Sequence, residues 1–173
     1  MNIVDRARKF AEHAHRAQVR KYTGEPYFVH LDEVAKLCAR FGCSKRAVAA
    51  AYLHDAIEDQ PVTYEDLLSE FGREVADIVR ELTDEPAVDG GPNRRRRKAS
   101  DLDRLAQASA DAQSIKCADM ISNTSSIVWH DKDFARRYLP EKRAALTVLT
   151  RASPRLRELA WQRLLEAERL IDA

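Results

Sequence analysis

The chain has 173 residues, 45% hydrophobic and 33% charged with 5 Gly and 6 Pro, enough for one domain around one core; disordered, collagen-like and disulfide-scaffold proteins are excluded. Lys and Arg number 29 against 28 Asp and Glu, a net charge of +1, so no global field draws the protein to nucleic acid or anionic lipid, and any polyanion must be held locally. No segment reaches the roughly 20 apolar residues of a membrane helix, and three Cys outside any CxxC after a polar start, MNIVDRARKF, predict a reducing cytoplasm.

Apolar residues recur at helical spacing along almost the whole chain, without a stretch of period-two alternation, so the expected fold is all-α and residues 1–173 are read as a single helical bundle. Ile3, Ala7, Phe10, Ala11, Ala14 and Ala17 mark one face of a first helix ending near Arg20 and Lys21, before the turn Thr23-Gly24-Glu25-Pro26. A second helix spans 30–41 and stops at Gly42. Ser44 caps a third whose run Ala47 to Leu53 is apolar on nearly all sides, which predicts a central position. Thr63 with Asp66 predicts a capping box, Gly72 a helix stop, and Val75, Ile78, Val79 and Leu82 the buried stripe of the next helix. Pro86, Gly90, Gly91 and Pro92 predict a mobile loop over 83–93, followed by an arginine-rich segment, a helix over 111–129, and two more starting near Pro140 and Ser153-Pro154.

The densest cluster of ionisable groups is His54-Asp55-Ala56-Ile57-Glu58-Asp59, at the end of the most apolar helix. Carboxylates there oppose the helix dipole and repel one another, and a bound cation reverses both costs. Taken alone, a His-Asp pair also fits a solvated, capped helix end. His30 can complete a mixed nitrogen and oxygen ligand set, or serve as a helix-start histidine. Asp119, at the edge of the inner face marked by Ile115, Ala118 and Ser122, requires a partner: a metal, a hydrogen bond or an arginine.

Together these residues resemble the HD superfamily of metal-dependent phosphohydrolases. Arg20-Lys21, Thr23-Gly24-Glu25-Pro26-Tyr27 with His30, Leu53 to Asp59, Phe71-Gly72, and Ile115 to Asp119 with Asn123 resemble, in order, the hydrolase domain of the RelA/SpoT family over about residues 7–125. The resemblance implies removal of pyrophosphate from the 3′ position of guanosine tetra- and pentaphosphate, with manganese as cofactor. It implies His30, His54, Asp55 and Asp119 as metal ligands, Glu58 and Asp59 as residues that activate or orient water, and Arg20, Lys21 and Asn123 as nucleotide contacts. Leu31 stands where the family commonly has proline and Tyr22 is an apparent insertion, which blurs the pocket but leaves the ligands intact. The length predicts hydrolysis without the synthetase and regulatory domains of longer members, as in a stand-alone small alarmone hydrolase. A small guanine nucleotide is then the partner, with neither nucleic acid nor membrane. Alternatives are another nucleotide phosphate, such as the 2′-phosphate of NADPH, or a non-catalytic nucleotide sensor.

The run Arg94-Arg95-Arg96-Arg97-Lys98 reads as a solvated basic face from which one or two members collect phosphate, and Lys116, Arg136, Arg137, Lys142 and Arg143 are further candidates. His13, His15 and His130 read as surface residues, Cys38, Cys43 and Cys117 as packing groups, and Trp129 and Trp161 as packing anchors. No glycine-rich phosphate loop supports nucleoside-triphosphate-driven chemistry.

Overall fold

The computed structural model describes residues 1–84 and 93–172. Described residues form ten helices and no strand: α1 Ile3–Ala14, α2 Phe28–Arg40, α3 Lys45–Leu53, α4 Ala56–Asp59, α5 Tyr64–Phe71, α6 Arg73–Leu82, α7 Arg94–Gln107, α8 Ala110–His130, α9 Lys132–Val148 and α10 Pro154–Asp172. None of these helices is long and apolar enough to cross a membrane. The Pro/Gly stretch from 85 to 92, read as a loop, lies outside the described residues.

Two helices form the axis of the bundle. Every residue from Ala47 to Leu53 in α3 is buried, as its all-round apolarity requires, and α1, α2, α6 and α8 pack around it. The second axis, α8, buries residues on most of its circumference and is surrounded by α2, α3, α6, α9 and α10. Local chemistry defines the ends of the elements. Ser44 accepts from Ala47 N–H and Ser109 from Ala112 N–H, and Thr63 and Asp66 form a reciprocal capping box. At Gly42, with φ +78°, Cys43 N–H donates to Cys38 C=O and Gly42 N–H to Ala39 C=O, the paired bonds of a Schellman stop.

Three boundaries differ from the sequence reading. The first helix ends at Ala14, and Ala17 is exposed, because the chain turns into a tight loop instead. In that loop Arg20 N–H bonds Glu25 C=O at 2.8 Å and Tyr27 N–H bonds Gln18 C=O at 2.9 Å, with Gly24 at φ +71° allowing the reversal. The helix expected to end beyond the His-Asp pair breaks at Leu53, so His54 and Asp55 sit at a corner between α3 and the four-residue α4. Pro140 lies inside α9, whose start is set eight residues earlier by Asp131 accepting from Phe134 N–H; burial of Ala135, Tyr138 and Leu139 offsets the missing amide at the proline.

Candidate metal centre and its cleft

The corner after α3 brings chain-distant groups together. The His54 imidazole ends α3, Asp55 starts α4, His30 projects from the first turn of α2, and Asp119 comes from the middle of α8. His30 is 0% exposed, His54 4% and Asp119 6%. His54 Nε2 lies 3.1 Å from Asp55 Oδ2 and 3.8 Å from Asp119 Oδ1. His30 Nε2 lies 3.4 Å from Asp119 Oδ1 and 3.8 Å from Asp55 Oδ2. Ligand atoms of His30, His54 and Asp55 fall within 4.8 Å of one another, the spacing of a group able to hold an ion.

Hydrogen bonding at the outer edge of the imidazoles shows which nitrogen is available. His54 Nδ1 donates to Ala51 C=O at 2.8 Å, and since a carbonyl only accepts, the neutral ring keeps its lone pair on Nε2. His30 Nδ1 bonds Ser122 Oγ at 2.9 Å. Both Nε2 atoms are buried without a hydrogen-bond partner, facing two carboxylates. Orphaned buried nitrogens among anions mark a place for a cation, and the donor set of two imidazoles and two carboxylates fits a divalent metal. Burial pushes the His54 imidazole down, but the Asp55 and Asp119 charges outweigh it and raise its pKa. Asp55, pushed up by burial, is drawn lower by His54, to about 2. Asp119 is likewise opposed by burial yet held well below the carboxylate range by Lys116 and the two imidazoles. Two ionised carboxylates facing two imidazole nitrogens give the cluster the charge that a divalent cation would neutralise.

A second layer fixes these ligands. Tyr27 O–H donates to Asp55 Oδ2 at 2.6 Å and its ring packs on His30 and His15 at 5.4 Å. Lys116 Nζ sits 3.1 Å from Asp119 Oδ2, and Asn123 Nδ2 donates to Asp119 Oδ1 at 2.6 Å. Arg20 Nη2 donates to Asn123 Oδ1 at 3.3 Å, so the loop after α1 and helix α8 meet at the site's edge. Lys21 instead lies against the Tyr22 and Phe134 rings, and Tyr22 donates to Asp131 Oδ2 at 3.1 Å, tying the loop to the α8–α9 junction.

Glu58 and Asp59 are exposed on α4 beyond Asp55. Glu58 accepts Asp84 N–H at 3.2 Å, and its pKa is raised by partial burial and by the Asp84 and Asp55 charges. Asp59 accepts Gln18 Nε2 at 2.8 Å, while Gln18 Oε1 accepts from His15 Nδ1 at 2.6 Å and from Gln60 Nε2 at 2.7 Å. His15 is therefore buried, not superficial as the polar sequence around it suggested; it is wedged between Tyr27 and Gln18. His13 and His130 are exposed as expected.

Beside Lys116 opens a cavity of about 660 Å³ lined by Asp84, Arg95, Lys98, Leu102, Lys142 and Ala145, among others. The basic run thus begins α7, with Arg95 and Lys98 on the cavity wall. Lys98 Nζ lies 3.1 Å from Asp101 and 3.5 Å from Asp84. Burial and the neighbouring Lys116 lower the Lys142 pKa to about 8. Arg136, Arg137 and Arg143 are held elsewhere, against Asp133, the Phe134 ring and Glu168 respectively. Trp129 is 74% exposed, contrary to its reading as an anchor: it lies on the same side of α8 as exposed Ser125, one turn earlier, and not on the side of buried Ile127 and Val128. Trp161 is half-buried beneath Arg143. Cys38 and Cys117 are buried and Cys43 half-buried, as packing groups are.

The sequence reading missed Tyr27, Gln18, His15 and Asp84 as contributors. Tyr27 was legible only as part of a motif, and the others act through contacts between residues far apart in the chain.

Known proteins resemble this arrangement in sequence and in fold. The HD-domain family model matches residues 7–139. A guanosine-3′,5′-bis(diphosphate) 3′-pyrophosphohydrolase from Aquifex aeolicus is 42% identical over 80 residues, covering 46% of this chain and 11% of that protein. The fruit-fly guanosine-3′,5′-bis(diphosphate) 3′-pyrophosphohydrolase MESH1 (Drosophila melanogaster) is 33% identical over 118 residues, covering 66% of this chain and 64% of its own. The chain therefore spans about a tenth of the bacterial relative and just under two thirds of the fly one. A solved structure described as a metazoan ortholog of SpoT that hydrolyzes ppGpp superimposes with a TM-score of 0.85 over 96% of both chains at 24% identity, a likeness of fold. With the family model covering most of its length and the buried His-Asp cluster at the corner of α3 and α4, the chain belongs to the metal-dependent HD-domain family.

Proposed function

We propose that this chain is a divalent-metal-dependent hydrolase of guanosine 3′,5′-bis(diphosphate) and the corresponding pentaphosphate, releasing pyrophosphate from the 3′ position and leaving GDP or GTP. The observation that carries this reading is the pair of orphaned Nε2 atoms of His30 and His54 facing Asp55 and Asp119, in a chain whose relatives bear that activity in their names. His30, His54, Asp55 and Asp119 would hold the ion, with manganese the cofactor suggested by the family resemblance. Bound there, a divalent ion supplies Lewis acidity toward phosphoryl oxygen and acidifies water.

The chain's own residues supply the rest. Glu58, exposed on α4 three residues after Asp55 and with its pKa raised, accepts a proton from the attacking water, while Asp59, held by Gln18, orients it. Water attacks the phosphorus on O3′; the P–O3′ bond breaks, its electron pair stays on O3′, and O3′ takes up a proton. Lys116, Lys98, Lys142 and Arg95 line the cavity beside Asp119 and offer positive charge to the diphosphate oxygens. Arg20 and Asn123, hydrogen-bonded to each other beside Asp119, are where the nucleoside is expected, with Lys21 against the Tyr22 and Phe134 rings. The unit proposed to act is the single domain 1–173, working in the cytoplasm on a small guanine nucleotide.

Incubating the purified chain with ppGpp and Mn²⁺ tests the reading. GDP and pyrophosphate appearing in equal amounts, and only with metal, are the expected products. Unchanged ppGpp across several divalent metals, or preferential attack on NADPH, overturns it.

A further inference from the structure

We infer that Glu33 is a positioning residue that, through Ser122, selects which nitrogen of His30 carries the proton. The inference rests on the reading of the centre as a metal site. Glu33 lies on the exposed side of α2, one turn after buried His30. Ser122, 2% exposed on α8, bridges them: Ser122 Oγ donates to Glu33 Oε2 at 2.6 Å, and His30 Nδ1 lies 2.9 Å from the same Oγ.

The proton count in this chain of contacts has one solution. A serine hydroxyl owns one hydrogen, and an ionised carboxylate can only accept. Once that hydrogen points to Glu33, the remaining Oγ lone pairs can only accept, so His30 Nδ1 carries N–H and its Nε2 is bare toward Asp55 and Asp119. Without Glu33 the hydroxyl can rotate and donate to Nδ1 instead. The two carboxylates at 3.4 and 3.8 Å would then draw the proton to Nε2, the position a metal needs empty.

Comparison with His54 explains why His30 needs such a device. The partner of His54 Nδ1 is the backbone carbonyl of Ala51, which has no hydrogen to give. His30 has a hydroxyl there, a group that works in either direction until a third residue orients it.

The test uses imidazole nitrogen NMR on the metal-free protein at alkaline pH, together with calorimetric titration of Mn²⁺. In the unmodified protein His30 is expected as the Nδ1–H tautomer. Glu33→Ala should move it toward Nε2–H and weaken Mn²⁺ binding about tenfold, the scale of outer-layer changes at metal sites. Glu33→Gln, whose amide oxygen still accepts from Ser122, should restore both readouts. In a Ser122→Ala background, Glu33→Ala should add nothing, since the bridge is already gone. Retention of the Nδ1–H tautomer and of Mn²⁺ affinity in Glu33→Ala, or additive losses in the double variant, overturns the assignment. If the unmodified protein binds no divalent ion, the metal reading fails, and the tautomer measurement still decides the role of Glu33.

Discussion

At the corner between α3 and α4, each of the four inward groups is fixed by a second contact: Ala51 for His54, Ser122 for His30, Tyr27 for Asp55, Lys116 and Asn123 for Asp119. Beside it, on α7 and α9, the cations of the cavity wall sit at the ends of long side chains among carboxylates and rings. Lys98 shares its charge between Asp84 and Asp101, and Lys142 is buried enough to have its pKa lowered. On the proposed function, one wall would hold a small cation and the other would offer charge to a larger anion. Rigid geometry suits the place where bonds change, because catalysis there depends on fixed dipoles, whereas phosphate binding tolerates flexible lysine stems.

Substitutions that break the rigid wall should have the largest effects. Asp119→Asn or His54→Ala is expected to weaken Mn²⁺ binding by more than about 100-fold, beyond the usual outer-layer range, and to abolish ppGpp turnover. Circular dichroism should show the helices intact. Retained turnover would show that the cluster is not the reaction centre. Glu58→Gln with Asp59→Asn should lower kcat by roughly 10²- to 10⁴-fold while calorimetric metal affinity changes little, separating proton transfer from ion binding.

Lys116 joins the two walls. Lys116→Met leaves buried Asp119 without its ion-pair partner in the metal-free protein, and urea unfolding should show a loss of about 3 kcal/mol. Equal stability would mean that the ring of imidazoles alone compensates Asp119.

On the cavity wall the effects should be smaller and pH-dependent. Lys142, its pKa lowered by burial to about 8, is charged below that pH and neutral above it in the folded protein. Its attraction for phosphate is present at pH 7 and lost as pH rises through about 8, so kcat/KM for ppGpp should fall across that range. Lys142→Arg should remove the inflection, since a guanidinium stays protonated there. The smallest effect is expected at Arg136, an exposed residue paired with Asp133: Arg136→Ala should change stability by about 0.5 kcal/mol or less and leave kcat/KM unchanged.

Much of the architecture was legible because local rules were obeyed. The all-round apolarity of Ala47 to Leu53 announced a central helix, the Thr63–Asp66 capping box formed, and Gly42 stopped α2 where a left-handed residue was needed. Where tertiary packing competed with those rules, reading failed. Proline at a helix start is a good local rule, yet Asp131 and the buried face from Ala135 to Leu139 carried α9 straight through Pro140. His15 looked polar by its neighbours, but the loop closed by the Val19–Pro26 bridge folds Tyr27 back over it. Trp129 has helical spacing and large area, yet nothing in sequence says that its side of α8 is left open to solvent.

The sequence by itself determined an all-helical chain with two histidines and two aspartates in a recognisable order, since helix periodicity and metal-ligand chemistry are properties of residue type and spacing. Only the tertiary structure decided which atoms of those residues face one another. Orientation depends on partners as distant as Ser122 for His30, 92 positions along the chain, and on the break after Leu53 that turns His54 and Asp55 into one corner. The charge balance of 29 against 28 is likewise a fact of composition. The placing of two aspartates at the centre, and of Arg95, Lys98, Lys116 and Lys142 among Asp84, Asp101 and Glu141 on the cavity wall, arises because packing α8 between α2 and α9 puts Asp119 toward the first and Lys116 toward the second.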